Sequence, residues 1–184
     1  MKLNYLIKIM FIVFSVIVLY SCKGELIEKV ENKSFCDVEN VNDSLKLIYG
    51  KNDVNVTFKG YNLKNSDVAF SGSNSLNLTK KKKFAFANNF IVEDTTAKYR
   101  VTAMVKGNAN KVFIVATGKN DFYVQSDSIF ERNEDGWQLV RLDFKLPKTF
   151  DKGDVVKTYV WNFGGDSIFV DDFSVNVVSL VEKK

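Results

Sequence analysis

Val155-Val156-Lys157-Thr158-Tyr159-Val160-Trp161-Asn162, then Phe163-Gly164-Gly165-Asp166, then Ser167-Ile168-Phe169-Val170-Asp171-Asp172-Phe173-Ser174-Val175-Asn176-Val177-Val178 is the stretch that decides the fold. Both arms are rich in β-branched and aromatic residues, and a Gly-Gly-Asp break separates them. Such a sequence reads as two long strands joined by a turn. In the first arm Tyr159, Trp161 and Phe163 share one face by period two. In the second, Asp171 and Asp172 are neighbours, so their side chains point to opposite faces unless a bulge intervenes. An inward carboxylate then needs a cation or several donors.

The pattern repeats upstream. Val54–Phe58 and Ser75–Thr79 alternate, Tyr99–Val105 alternates less strictly, and Lys111–Thr117 is a nearly continuous apolar run, fit for a strand covered on both faces. Phe122–Val124 and Trp137–Leu146 complete the series. Turns fall at Lys59-Gly60, Ser71-Gly72-Ser73-Asn74, Lys106-Gly107-Asn108, Gly118–Asp121, Glu134-Asp135-Gly136 and Lys152-Gly153-Asp154. Short strands at this spacing predict an all-β, antiparallel sandwich over residues 34–180. No helical period is evident beyond the N-terminal segment. Pro147 follows a strand, where its missing N–H does no harm.

The N-terminus reads differently. Lys2 and Lys8 precede Ile9–Tyr20, which is apolar except for Ser15. The run is short for a bilayer span, which takes about 20 residues, and has the form of a secretory signal. It ends in Leu19-Tyr20-Ser21-Cys22, which resembles a bacterial lipobox. That resemblance implies cleavage after residue 21 and a diacylglyceryl group on Cys22. The alternative is an uncleaved anchor. Residues 22–33 are polar and charged and read as a flexible tether. The expected location is the cell envelope, lipid-anchored. Lys23 rather than Asp follows Cys22, which favours the outer membrane.

Composition narrows the chemistry. The net charge is +4, and two of the lysines leave with the signal, so there is no surplus of the kind nucleic-acid binding needs. The basic run Lys80-Lys81-Lys82-Lys83 reads as a solvated turn or edge, or as a site for acidic glycans or lipid headgroups. The chain has no His, which excludes Ser-His-Asp and Cys-His catalysis and His-based zinc sites. No phosphate-cradling Gly-rich loop is present. With Cys22 acylated, Cys36 has no disulfide partner and reads as a buried thiol.

Three segments in order resemble the jelly-roll domains of the galactose-binding-like superfamily, which includes many carbohydrate-binding modules. They are Ala69-Phe70-Ser71-Gly72-Ser73-Asn74-Ser75-Leu76-Asn77-Leu78, then Gly136-Trp137-Gln138-Leu139-Val140 with Leu142-Asp143-Phe144, and the closing Val160–Val175 hairpin with its Asp171-Asp172 pair. Phe35-Cys36-Asp37-Val38-Glu39 stands where the family opens with an acidic strand, without the Trp that usually follows. The resemblance implies a jelly roll, and a structural Ca²⁺ held by Asp172 or Asp171, by Glu39 or Asp37, and by carbonyls near Ser71 and Ser73. Those are the hard oxygen ligands calcium takes.

For function, the expectation is a non-catalytic module that binds carbohydrate. Trp161, Tyr159 and Tyr123 are the candidate ligand-binding residues, because flat π surfaces stack on the apolar faces of sugars. The competing reading places Trp161 and Phe163 in the core, as Trp137 is expected to be. Phe122 and Tyr123 point oppositely, so one of them is exposed. Asn162, Gln125 and Arg100 are further hydrogen-bonding candidates. A protein-interaction or accessory role in an envelope complex is the alternative, and a two-carboxylate glycosidase ranks last. Asp43-Ser44, Asp94-Thr95, Asp127-Ser128 and Asp166-Ser167 resemble a short bacterial O-glycosylation motif.

Overall fold

The computed structural model describes residues 26–39, 46–47, 56–57, 64–65 and 67–183. Cys22, Asp43-Ser44 and the signal segment lie outside the described residues. The chain divides into two units, one of Val30–Ser179 and one of Met1–Lys29 with Leu180–Lys184. In the described part of the second unit, Leu26, Ile27 and Leu180 are exposed.

The strands are β1 (Leu26–Cys36), β2 (Lys46–Leu47), β3 (Val56–Thr57), β4 (Lys64–Asn65), β5 (Ser75–Leu78), β6 (Phe84–Ile91), β7 (Lys98–Lys106), β8 (Val112–Thr117), β9 (Tyr123–Ser126), β10 (Ile129–Arg132), β11 (Trp137–Lys145), β12 (Val155–Asn162) and β13 (Ile168–Glu182). The larger sheet runs β10-β11-β7-β13-β5-β4, with β1 also paired to β13. The smaller runs β6-β12-β8-β9, and β2 pairs β3 separately. The registered strand pairs are all antiparallel. The expected sandwich is therefore present.

Its core follows from alternation. Val101, Ala103 and Val105 of β7, Val140, Leu142 and Phe144 of β11, Ile114 and Ala116 of β8, and Val156 and Val160 of β12 are all buried in one hydrophobic cluster. Phe86 of β6 and Phe173 of β13 stack face to face, centroids 5.2 Å apart, each about 1 % exposed or less. Burial of such rings supplies the main driving force, on the order of 25 cal/mol per Å².

Three differences from the sequence reading have physical causes. Residues 22–33 were expected as a tether, yet Leu26–Cys36 is a strand; its pairing with β13 satisfies a backbone that is polar and charged in sequence. β6 was not expected, because its period breaks. Phe86 adopts φ +54°, and the register with β12 shifts between Thr158 and Val160, so a bulge hides the alternation. β10 was not expected either, because the strand is only four residues long and, with Ile129 alone partly buried, shows no alternation.

The lysine run makes a turn. Thr79 and Lys82 exchange backbone hydrogen bonds at 2.9 and 3.1 Å, linking β5 to β6. Cys36 is buried, and burial pushes its thiol up to about 12 against one backbone hydrogen bond from Val38.

Candidate functional site

β12 is the centre of the site. Val156, Thr158, Val160 and Asn162 are buried on its inner side, so Tyr159 and Trp161 lie on the outer face of the smaller sheet. That settles the alternative left open by the sequence: Trp161 is not in the core between the sheets. It stands opposite Phe113 of β8 and Phe84 of β6. The Phe84 ring lies 6.1 Å from the Trp161 centroid at an interplanar angle of 21°, nearly parallel. Phe113 lies at 5.8 Å and 39°. Phe163, just past the strand, meets Trp161 edge-on at 5.4 Å, and Tyr159 meets Phe84 edge-on at 5.8 Å.

The layer continues toward the sheet edge. Lys157 Nζ lies 5.5 Å from the Tyr159 centroid. Tyr159 pairs with Val115, and Val115 with Gln125, while Tyr123 pairs with Thr117. Tyr123 is half exposed, and its hydroxyl donates to Gln125 Oε1. Burial and the nearby Tyr123 hold the Tyr159 phenol above its ordinary range. Phe122 instead turns inward, packing on Phe144 and Phe150. The structure thus places Trp161, Tyr159 and Tyr123 on one face, and adds Phe84, Phe113 and Phe163. Phe84 is 56 % and Phe163 61 % exposed, so the surface is open. The Trp161 indole N–H is buried with no hydrogen-bond partner.

The outer side of the larger sheet is polar by contrast. Arg100 and Arg141 both bond Asp143, with Lys98 Nζ at 3.0 Å, and Thr102 bonds Ser174 at 2.7 Å. Burial pushes the Asp143 carboxyl up, but bonds from Arg141, Arg100 and Lys98 outweigh it and hold it well below the usual range. Arg100 and Asn162 therefore take no part in the aromatic face. Asn162 is buried, donating to the Asp166 carbonyl and accepting from the Gly165 N–H.

The acidic residues form a second arrangement. β13 bulges between Asp171 and Ser174, with Asp172 at φ +45°, so the two carboxylates do not simply alternate across the sheet. Asp171 is fully buried. Its Oδ2 accepts the N–H of Phe70 at 2.9 Å and of Ser71 at 3.3 Å, and its Oδ1 accepts Asp172 N–H at 2.8 Å. The Ser71 hydroxyl donates to Asp172 Oδ1 at 2.6 Å. Glu39 Oε1 accepts Ser73 N–H at 2.7 Å and Asn74 N–H at 2.6 Å, and its Oε2 accepts Asn74 Nδ2 at 2.9 Å. Asp37 accepts the Glu39 N–H at 3.1 Å. Burial raises Asp171 to about 6, opposed by the hairpin N–H donors.

As arranged, Glu39 and Asp171 receive hairpin N–H groups, whereas a calcium cage would turn carbonyls inward. Among the described residues no group of three or more acidic, Cys or His side chains is placed to hold a metal ion. The donors present fit a hydrogen-bonded clasp on the Phe70–Asn74 hairpin. Trp137 is buried beside it, edge-on to Phe70 at 5.7 Å.

No family model and no curated protein matches this chain. Solved structures are similar to this chain at low identity. The CBM22-1 xylan-binding domain from Paenibacillus barcinonensis Xyn10C is 12 % identical, with a TM-score of 0.44, covering 85 % of this chain and 96 % of its own. The C-terminal family 22 carbohydrate-binding module of Clostridium thermocellum Xyn10B is 12 % identical, with a TM-score of 0.47, covering 82 % and 96 %. A cyclase from Fischerella is 9 % identical, with a TM-score of 0.40, covering 86 % and 90 %.

Proposed function

We propose that this protein is a non-catalytic, membrane-anchored lipoprotein that binds carbohydrate on the outer face of its smaller sheet. One observation carries the reading: Trp161, Phe84, Phe113, Tyr159 and Phe163 form a continuous, open aromatic layer where a solvent-facing sheet is ordinarily polar. The near-parallel Phe84 and Trp161 rings offer a shelf for sugar C–H faces. Tyr123, Gln125 and Lys157 at its margin supply hydrogen-bonding groups for orientation.

The anchor would be Cys22. Two acyl chains hold far more firmly than the marginal binding of one.

The test is a glycan array probed with the full chain in detergent, with and without calcium, beside Trp161→Ala. Binding to defined glycans that the variant loses supports the module. Binding lost on chelation would restore a calcium at Asp171, Asp172 and Glu39, which would have to exchange their amide donors for the cation. A folded protein silent across the array favours the alternative, a protein partner docking on the same apolar layer.

A further inference from the structure

The lysine run at residues 80–83 is tied to the aromatic layer. Lys83 directly precedes Phe84, and its carbonyl accepts the Asn162 N–H at 2.8 Å, at the end of β12 beside Trp161. The Lys111 carbonyl accepts the Phe163 N–H at 2.9 Å. The Lys111 stem packs on Gly164, where a Cβ would collide with it, and the Lys80 stem lies beside Gly165. The Phe163-Gly164-Gly165 turn thus sets lysine stems at one end of the layer. Lys157 stands at the other end, its Nζ 5.5 Å from the Tyr159 centroid. That contact positions the ammonium and leaves its charge intact, because the ring quadrupole carries no net charge.

The strands beneath this layer are free of acidic residues. Phe84–Ile91, Val112–Thr117, Tyr123–Ser126 and Val155–Asn162 hold no Asp or Glu. Acids appear in the turns that bound these strands, Glu93, Asp121, Asp127, Asp154 and Asp166 among them. Asp154 is held by Lys119. Lys80, Lys81, Lys111 and Lys157 are exposed, and among the described residues none of the four pairs with a carboxylate. The outer side of the larger sheet differs, because Asp143 sits there among Lys98, Arg100 and Arg141.

From Lys157 to Phe163 the chain spans about 20 Å at the usual strand rise, the length of an oligosaccharide rather than of one sugar. A ligand matched to this strip presents C–H faces to Trp161 and Phe84 in the middle and negative groups to the lysines at either end. A neutral chain satisfies the rings alone. We propose that the shelf selects an anionic polysaccharide, one carrying carboxylates or sulfates along its length, with Lys111 and Lys157 setting the preference. This rests on the carbohydrate-binding reading of the shelf and names its ligand class.

The test is calorimetric titration of the full chain in non-ionic detergent with pairs of polymers that share a backbone and differ in charge: polygalacturonate against its methyl ester, and dextran sulfate against dextran. In at least one pair the charged member is expected to bind at least about tenfold more tightly. Lys111→Gln combined with Lys157→Gln is expected to weaken that binding about fivefold and to leave the neutral member unchanged. Lys111→Arg combined with Lys157→Arg is expected to keep the preference. Trp161→Ala is expected to abolish binding of both members. Lys145→Gln, at the end of β11 on the larger sheet, is expected to change nothing. Circular dichroism checks that each variant is folded. Equal binding of charged and neutral members, an unaffected lysine-to-glutamine pair, or an equal loss in Lys145→Gln would overturn the proposal and leave carbohydrate binding in place. Polyanion binding that survives Trp161→Ala would overturn it as well, since charge alone would then suffice. No binding of either charged polymer would also overturn it, and the glycan array, read separately, decides whether the shelf reading falls too.

Discussion

At the scale of single residues, the Phe70–Asn74 hairpin shows how closely side chains and backbone depend on one another. Gly72 has φ +59°, and a Cβ placed there would sit 2.5 Å from the Glu39 carboxyl carbon. Gly72→Ala therefore meets backbone strain and displaces the acceptor of two hairpin N–H groups. The expected loss is about 1–3 kcal/mol, read as a lowered denaturant midpoint with an unchanged slope. Cys36 supplies a second check. Its thiol is buried and its thiolate strongly disfavoured. In a Cys22→Ser background it is expected to resist a maleimide probe in the native protein and to react once denaturant is added.

At the scale of elements, the two outer faces of the sandwich predict different responses. Trp161 and Phe173 are both large aromatics in strands, yet one faces out and the other lies at the centre of the core. Phe173→Ala removes a stacked, fully buried ring and is expected to cost about 3–5 kcal/mol. Trp161→Ala removes contacts on an open face and is expected to cost about 1–2 kcal/mol while abolishing glycan binding. Paired unfolding curves separate them, and equal losses would place Trp161 in the core after all. On the larger sheet, Asp143 joins β11 to β7 through Arg100 and Lys98. Its carboxyl is depressed in the folded state, so the folded protein binds fewer protons there than the unfolded chain does. That contribution is complete above the unfolded value of about 3.9 and is lost as pH falls below it. Between pH 6 and pH 3 the wild type is expected to lose more stability than Asp143→Asn, measured by denaturant titration at each pH.

At the scale of the whole molecule, the proposed anchor and the binding face have separate roles. Cys22→Ser is expected to move the protein from the membrane fraction to the soluble fraction while leaving glycan recognition unchanged. Membrane fractionation and the array check the two halves. Retention of the variant in membranes would favour an uncleaved N-terminal anchor, because removing the acylated thiol removes only the lipid contribution.

The sequence by itself determined the sandwich and the face on which Tyr159, Trp161 and Phe163 fall, because strand alternation has a period of two and needs no partner to be read. β12 matches its expected limits for that reason, as does most of β7 and β11. It did not determine which face of β12 is the outer one, since an aromatic row satisfies a core and a shelf equally; only the burial of Val156, Thr158 and Val160 decides that. Phe84 and Phe113 were missed as members of the layer, because they are far from β12 in the chain and join it through cross-strand pairing. The bulges at Phe86 and at Asp171–Ser174 leave no periodic signal, so the strand β6 and the true direction of the Asp pair awaited the fold.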